Sequence, residues 1–567
     1  MLIKLKTLKT NKNFIYTVLI TLFCLIFLLA TALSGLKYSF GYGFWNAHGH
    51  DAIWHLAVSN QTLKSFPPLN PVYSGYKLVG YHWGYDLLLQ LVHIITKIPS
   101  INLYFQIFPI FITILIALFS FKLKKTKLSG LLFVFLNFFA GSFGYIVTLI
   151  KDGKIGGESI FWSMQSISTL INPPYALSLV ILLSALYFWQ KNQSKLSTLK
   201  AIFLGIFLGL TTIIKIYAAV IVGLAFSLLF ICQTIRHLKQ AGSTFWICFS
   251  MATTSVLLLY LIGLGDTSLI FKPFWFINSL VDSYDKLYLP KISAFRFNIS
   301  QTSLNIKWIA FLLIQLLFFI VFLLGNLGTR IFTLLSVTKK IKSKNLTHFD
   351  TLFLFTSFFA ILIPSLFIQS GTAWNSIQFF YYFLIIANFY FADYLETLLI
   401  NKRYLLFAVI IILTLPTTIS TIRSFIGFPP PSALPNSEIK ALQFLKNQPD
   451  GIVLTYPFNS YQTKPDTPIP LFIYETTAYV SAFSQKISFL EDYVNLSITG
   501  FDWQQRFAQV NQFFKDDNQY RQVGFLLNNN IDYIYLNQAD QTINSKISYQ
   551  LKTIYHRDDI TIYKVLK

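Results

Sequence analysis

The sequence has little charge. Asp, Glu, Lys and Arg make up 12% of its 567 residues, about half the share usual in soluble domains, which excludes an ordinary water-soluble globular chain. Methionine and cysteine are scarce, at 3 each. Cys24, Cys232 and Cys248 all lie in or beside apolar segments, which argues against a disulfide framework or a cysteine-based zinc site. Acidic residues number 23 against 45 basic ones. No sequence repeat is visible, and no inverted repeat of the kind on which many transporters are built.

What fills the chain instead is apolar surface. Hydrophobic residues make up 54% of it, Phe occurs 58 times, and the mean hydropathy is +0.56. Apolar runs able to cross a hydrocarbon core of about 30 Å recur along it. The net charge of +22 raises the question of nucleic acid. The basic residues, however, stand mainly in short clusters between apolar runs, the pattern that orients membrane helices, and no nucleic-acid partner is expected. Lys4, Lys6, Lys9 and Lys12 precede the first run, at 13–33. That run is longer than a typical signal-peptide core, and its nearest approach to a cleavage site is Ala30-Thr31-Ala32, so it reads as a retained helix.

The basic clusters then give a topology of about eleven transmembrane helices. A cytoplasmic N-terminus sends helix 1 outward, leaving 37–100 as an external loop. Within it, the apolar stretch from Trp83 to His93 is short and carries Asp86, so it reads as an interfacial helix. Further spans are expected at 102–121, 129–150, 173–190, 244–264, 306–327, 350–369, 377–397 and 404–424. The stretch 199–233 is too long for one span and reads as a tight helical pair with Lys215 near its outer tip. A single tilted helix there is the alternative, and it would invert everything downstream. Lys122 to Lys127, Lys191 to Lys200, Lys339 to Lys344 and Lys402-Arg403 then all fall inside.

After this polytopic α-helical membrane domain, 1–426, the composition changes at Pro429-Pro430-Pro431. Residues 427–567 read as an extracytoplasmic α/β domain. Helices are expected from Ser437 to Gln448, Trp503 to Phe514 and Asn518 to Leu527. Strands are expected at Gly451 to Tyr456, Ala478 to Phe483 and Ile531 to Leu536, with a closing hairpin over Leu551 to His556 and Ile560 to Val565. The expected location is the plasma membrane.

The segment after helix 1 concentrates polar function: Trp45-Asn46-Ala47-His48-Gly49-His50-Asp51-Ala52-Ile53-Trp54-His55, then Tyr81-His82-Trp83. A carboxylate just outside the first helix, flanked by aromatic rings, is suited to take a proton from an acceptor hydroxyl at the membrane surface. The plainer reading is an Asp that caps a helix among packing histidines. His48, His50, Asp51 and His55 also offer metal-ligand chemistry, with Asp51 and His55 four residues apart, but their spacing matches no zinc signature. No cofactor is therefore expected, with a divalent metal left as an alternative.

In layout, residues 13–424 resemble the GT-C superfamily of membrane glycosyltransferases, whose members carry an essential acid in the first external loop followed by juxtamembrane helices. The strand Asp532-Tyr533-Ile534-Tyr535-Leu536 and the closing hairpin are similar to the tail domains of bacterial members. The resemblance implies a glycosyltransferase that moves a sugar from a polyprenyl-phosphate donor to a glycan, lipid or protein acceptor at the outer face, with inversion. Asp51 takes the place of the essential acid, and Ala52 follows it where many members have a second acid. Asp152 and Glu158 stand in the next external loop, where a second acid often lies. Candidate substrate contacts are His50, His55, His82, Asp152, Glu158, Lys215 and Arg296; the last two, with Lys272 and Lys291, are the external cations suited to a lipid phosphate. The competing readings are a lipid or glycan transporter or flippase, and a non-catalytic scaffold whose outer domain binds a glycan.

Overall fold

The structure is a computed structural model that describes the chain except for residues 1–11, 164–165, 194, 264, 266–267, 303–305, 539–540 and 542. Lys4, Lys6 and Lys9 lie outside the described residues. Seven helices are long and apolar enough to cross a membrane, and nine spans result if each of two bent pairs counts as one. The chain is thus a multi-pass membrane protein with a sheet-containing C-terminal region. The first helix, Lys12–Leu28, has 17 residues, about 25 Å at 1.5 Å per residue, and is succeeded by tight turns instead of further helix. The Thr198–Ile214 arm is likewise apolar but short.

Two expected spans are broken. The segment 129–150 is a helix Lys127–Phe139 followed, after a 40° bend, by Gly144–Asp152. The segment 404–424 bends by 40° between Tyr404–Thr414 and Pro416–Ile426, where Pro416 has no amide hydrogen to continue the ladder. The two breaks meet and satisfy each other. Gly141 N donates to Thr414 O at 3.2 Å, while Thr417 and Thr418 hydroxyls donate to Ser142 O at 2.9 Å and Phe139 O at 2.6 Å. The fully buried Arg330 guanidinium donates to Gly141 O at 3.2 Å and Asn326 O at 2.7 Å. Broken helices are tolerated at membrane depth because their freed backbone groups find such partners.

The stretch 199–233 is a hairpin. Gly205 faces Ile247 and Ser250, and Gly209 faces Thr254, so the arm Thr198–Gly209 runs parallel to the helix Ala241–Ile262. The arm Ile216–Ile235 runs the other way: Gly223 faces Met251 and Gln233 accepts from the Thr244 hydroxyl. Lys215 sits at the turn, and it is buried, 4% exposed. The cover comes from residues 81–84, where a Cβ on Gly84 would lie 2.8 Å from Ile213 O, so only glycine lets the segment sit this close. The neighbouring helix Gly84–Thr96 is short, with Asp86 buried on its inner face. At the opposite end of the bundle the basic loops gather: Lys124 pairs with Asp393 at 2.5 Å, Lys340 with Asp350 at 2.7 Å, and Lys122 and Lys191 both approach the Tyr187 ring.

The C-terminal region contains a five-stranded sheet in the order Leu551–Arg557, Ile560–Val565, Ile531–Leu536, Ile452–Thr455, Ile487–Ser488. A second sheet joins the two parts of the chain: Gly41–Phe44 pairs antiparallel with Ser432–Pro435, which pairs in turn with Ile469–Pro470. The helix expected from Ser437 starts one residue earlier, at Asn436, directly after this strand. The strand expected at Ala478 to Phe483 is a helix, Tyr479–Ser484. Its apolar run fits either form, and a distant carboxyl decides: Glu491 accepts from the Val480 and Ser481 amides at 3.1 Å each, satisfying donors that a helix start leaves without intrahelical partners.

Topology reporters test the orientation. Fusions after Lys127, Lys195, Lys342 and Lys402 are expected to report cytoplasm, and fusions near Lys154, Ser283 and Ser437 the outside. A cytoplasmic signal at Ser437 overturns the count.

Candidate functional site

Asp51 is the first residue of the helix Asp51–Ser59, where a carboxylate is favoured by the helix dipole. The 3-10 turn Asn46–Gly49 delivers it there from the joining sheet. The turn is pinned from behind, by Trp45 Nε1 donating to Gly427 O at 2.6 Å and Asn46 Nδ2 to Ser424 O at 3.2 Å. The helix buries its other residues, Ala52 to Ser59, and leaves the Asp51 side chain 54% exposed.

The histidines around it have separate tasks. His50 lies between two carboxylates, with Nδ1 2.9 Å from Asp51 Oδ1 and Nε2 3.2 Å from Asp492 Oδ1. Burial works against its charged form, but the Asp492 charge and hydrogen bond, with the Asp51 hydrogen bond, raise its pKa well above the ordinary imidazole value. His50 is therefore an imidazolium at neutral pH, and both ring nitrogens donate. Asp51 is pushed up by desolvation, but the His50 hydrogen bond and charge, with the His55 and His48 charges, together outweigh that, so its pKa ends below the ordinary value and it is ionised. Asp492 is fully buried and also accepts from Asn495 N at 3.1 Å and Asn495 Nδ2 at 2.9 Å.

His48 is buried against the Ser34 hydroxyl at 2.8 Å, and desolvation lowers its pKa to about 3 despite the Asp51 charge, so it stays neutral. His55 contacts Asp86 at 2.8 Å. Burial raises the Asp86 pKa, and the His55 charge and hydrogen bond offset part of that. His82 stacks on Tyr81 and stands 3.3 Å from Lys215 Nζ. Desolvation and the Lys215 charge hold it neutral. Lys215 itself is brought down to about 7 by desolvation, against the Asp51 charge that supports its protonated form. Trp54 and Tyr81, edge to face at 5.8 Å, complete an aromatic wall.

The structure thus brings Asp51, His50, His55, His82 and Lys215 into one region. Asp152 ends the short helix Gly144–Asp152 at the surface. Glu158 accepts from the Thr421 hydroxyl at 2.6 Å, one turn from the Ser424 that holds Asn46. Arg296 pairs with Asp282 at 3.1 Å, and Lys272 and Lys291 are exposed. Among the described residues no three His, Cys, Asp or Glu side chains converge on a point that could hold a metal ion. The histidines turn instead to different partners: Ser34, Asp492 and Asp86. Sequence reasoning missed Asp492 and Glu475. Asp492 contacts His50 and Glu475 feels its charge, and both belong to a region more than 400 residues away in the chain. No local motif signals that contact.

The His50 bridge carries a pH dependence. Its folded pKa is raised, so its stabilisation is complete below the usual imidazole value near 6.5 and is lost as pH rises through the folded value. Asp492→Asn removes one buried partner of a charged ring, at about 3–5 kcal/mol. The variant is expected to melt at lower temperature than wild type at neutral pH and to show a smaller alkaline loss. Equal melting profiles from acid to alkaline pH would refute the bridge.

No protein-family model matches the chain, and no curated protein does. Among solved structures it is similar to the Archaeoglobus fulgidus oligosaccharyltransferase in a crystal structure with Zn and sulfate, with 12% identity, a TM-score of 0.49, and 92% of this chain and 68% of that chain covered. It is similar as well to the archaeal oligosaccharyltransferase AglB from Archaeoglobus fulgidus in complex with an inhibitory peptide and a dolichol-phosphate, with 13% identity, a TM-score of 0.49, and 93% and 70% covered.

Proposed function

We propose that the chain is a GT-C-type membrane glycosyltransferase that moves a sugar from a polyprenyl-phosphate-linked donor in the membrane lipid to an acceptor hydroxyl at the outer face. The observation that carries this reading is one site with two poles. Asp51 is ionised and open to water, and Lys215 is a buried cation whose nearest polar neighbour is the neutral His82. A phosphate suits the second pole, because it supplies the anion that a desolvated ammonium lacks.

The step follows from these poles. The acceptor hydroxyl gives its proton to an Asp51 carboxylate oxygen as its own oxygen bonds to the anomeric carbon. The bond from that carbon to the phosphate oxygen breaks on the opposite face, inverting the centre. The electron pair leaves with the lipid phosphate, whose added charge Lys215 offsets. His50 keeps Asp51 ionised and fixed in place. That lowers the basicity of the carboxylate but guarantees the form that accepts a proton. Arg296, already paired with Asp282, is the weaker candidate for the phosphate, and Glu158 is placed to steady the Asn46–Asp51 segment through Thr421 and Ser424.

Asp51→Asn keeps the shape and removes the base, so turnover is expected to fall by about 10²–10⁴-fold with the melting temperature little changed. Wild-type turnover by purified Asp51→Asn protein would overturn the reading. Lys215→Met is expected to weaken donor binding. Because Lys215 titrates at about 7, wild-type donor affinity should decline as pH rises through that value, and the variant should show no such decline. A pH-independent donor affinity in wild type would remove Lys215 from the role.

A further inference from the structure

The C-terminal region holds a cavity of about 190 Å³ on the far side of His50 from Asp51. Asp492 lines it, and so does Glu475, whose carboxyl feels the charges of His50, Asp51 and Asp492. Tyr474, next in the chain to the lining residue Glu475, packs on the Asp51 segment: a Cβ on Gly49 would lie 3.2 Å from its ring. The cavity and the carboxylate proposed as base are therefore separated by one imidazolium ring.

The lining chemistry restricts the occupant. Among the described lining residues there is no lysine or arginine, so an anionic ligand would meet carboxylates without compensation. Two of the three acids are engaged within the chain. Glu491 accepts from two amides and from the Ser481 and Ser488 hydroxyls, and Asp492 holds His50 and Asn495. A cationic ligand would thus find Glu475 alone, which is exposed to the cavity. The remainder is aromatic faces such as Tyr456 and Phe472, together with side-chain amides. Rings for C–H faces, with amides and one carboxylate for hydroxyls, suit an uncharged polyhydroxylated ring. Thr477 adds an independent sign: it lines the cavity, is 4% exposed, and its hydroxyl has no partner among the described residues. A buried hydroxyl without a partner is costly, and a ligand hydroxyl would satisfy it.

We infer that this cavity binds the acceptor, and that the acceptor is a neutral saccharide whose attacking hydroxyl reaches past Glu475 to Asp51. The inference rests on the glycosyltransferase reading and adds the substrate class to it.

The test is equilibrium binding by saturation-transfer NMR to the full-length protein in nanodiscs. The probes are neutral di- and trisaccharides of glucose, galactose and N-acetylglucosamine, with a glucuronate disaccharide and an Asn-Ala-Thr peptide as contrasts. At least one neutral saccharide is expected to bind, and to bind at least 5-fold more weakly to Thr477→Val and to Glu475→Gln. Thr477→Val should melt no lower than wild type, since it removes a hydroxyl without a partner in the chain. Binding of the peptide or the glucuronate in preference, no saccharide binding, or binding indifferent to both cavity variants would overturn the inference. The glycosyltransferase reading fails separately: saccharide binding can survive in a protein with no Asp51-dependent transfer, and Asp51-dependent transfer can be found with the cavity empty of sugar.

Discussion

The charged bridge from Asp51 through His50 to Asp492 is the contact on which the site depends. It sets three things together: the protonation of His50, the ionisation of Asp51, and the docking of the C-terminal region on the segment after the first helix. A buried imidazolium is tolerable only with opposite charge on it, so neither carboxylate can be exchanged without changing the state of the other. The joining sheet supports the same contact through backbone pairing, which holds Gly41–Phe44 and Ser432–Pro435 in register.

The rest of the bundle frames that contact. The hairpin turn places Lys215 beneath residues 81–84, and the close approach at Gly84 keeps it there. Away from the site, the broken helices near Gly141 and Leu415 close on each other through threonine hydroxyls and Arg330. They contribute backbone satisfaction, whereas the histidines and carboxylates form the candidate site. Both are polar clusters in a largely apolar chain, and they are distinguished by exposure: Asp51 faces water and Arg330 does not.

Much of this is legible in the sequence because the relevant signals are local. Long apolar runs with basic ends marked the seven helices long enough to cross a membrane, the two bent pairs and the hairpin at 199–233, but the expected count of eleven exceeds the seven to nine spans found among the described residues; the aromatic and histidine-rich run around Asp51 marked the candidate site. Pro416 signals the break in 404–424, but the break in 129–150 was not legible. Ala140 to Phe143 carries no proline, and the bend depends on Thr414, Thr417 and Arg330, which reach it from far along the chain. The helix at Tyr479–Ser484 was misread for the same reason, since Glu491 decides it across a turn. Asp492 follows Glu491 in the sequence and belongs to no recognisable motif. Its meaning comes from His50, 442 residues earlier.

That separation sets when the site can exist. Asp51, His50 and Lys215 are all made and placed early in synthesis, but the partner that charges His50 emerges only after every membrane helix. Until then His50 has one carboxylate partner in place of two, and the strand Gly41–Phe44 lacks its Ser432–Pro435 neighbour. A ribosome-bound chain halted anywhere before Asp492 therefore carries the carboxylate and the lysine without the electrostatic setting that makes them a pair. Closure of the bridge therefore waits for the last quarter of the chain, residues 427–567, to fold back onto the segment after the first helix.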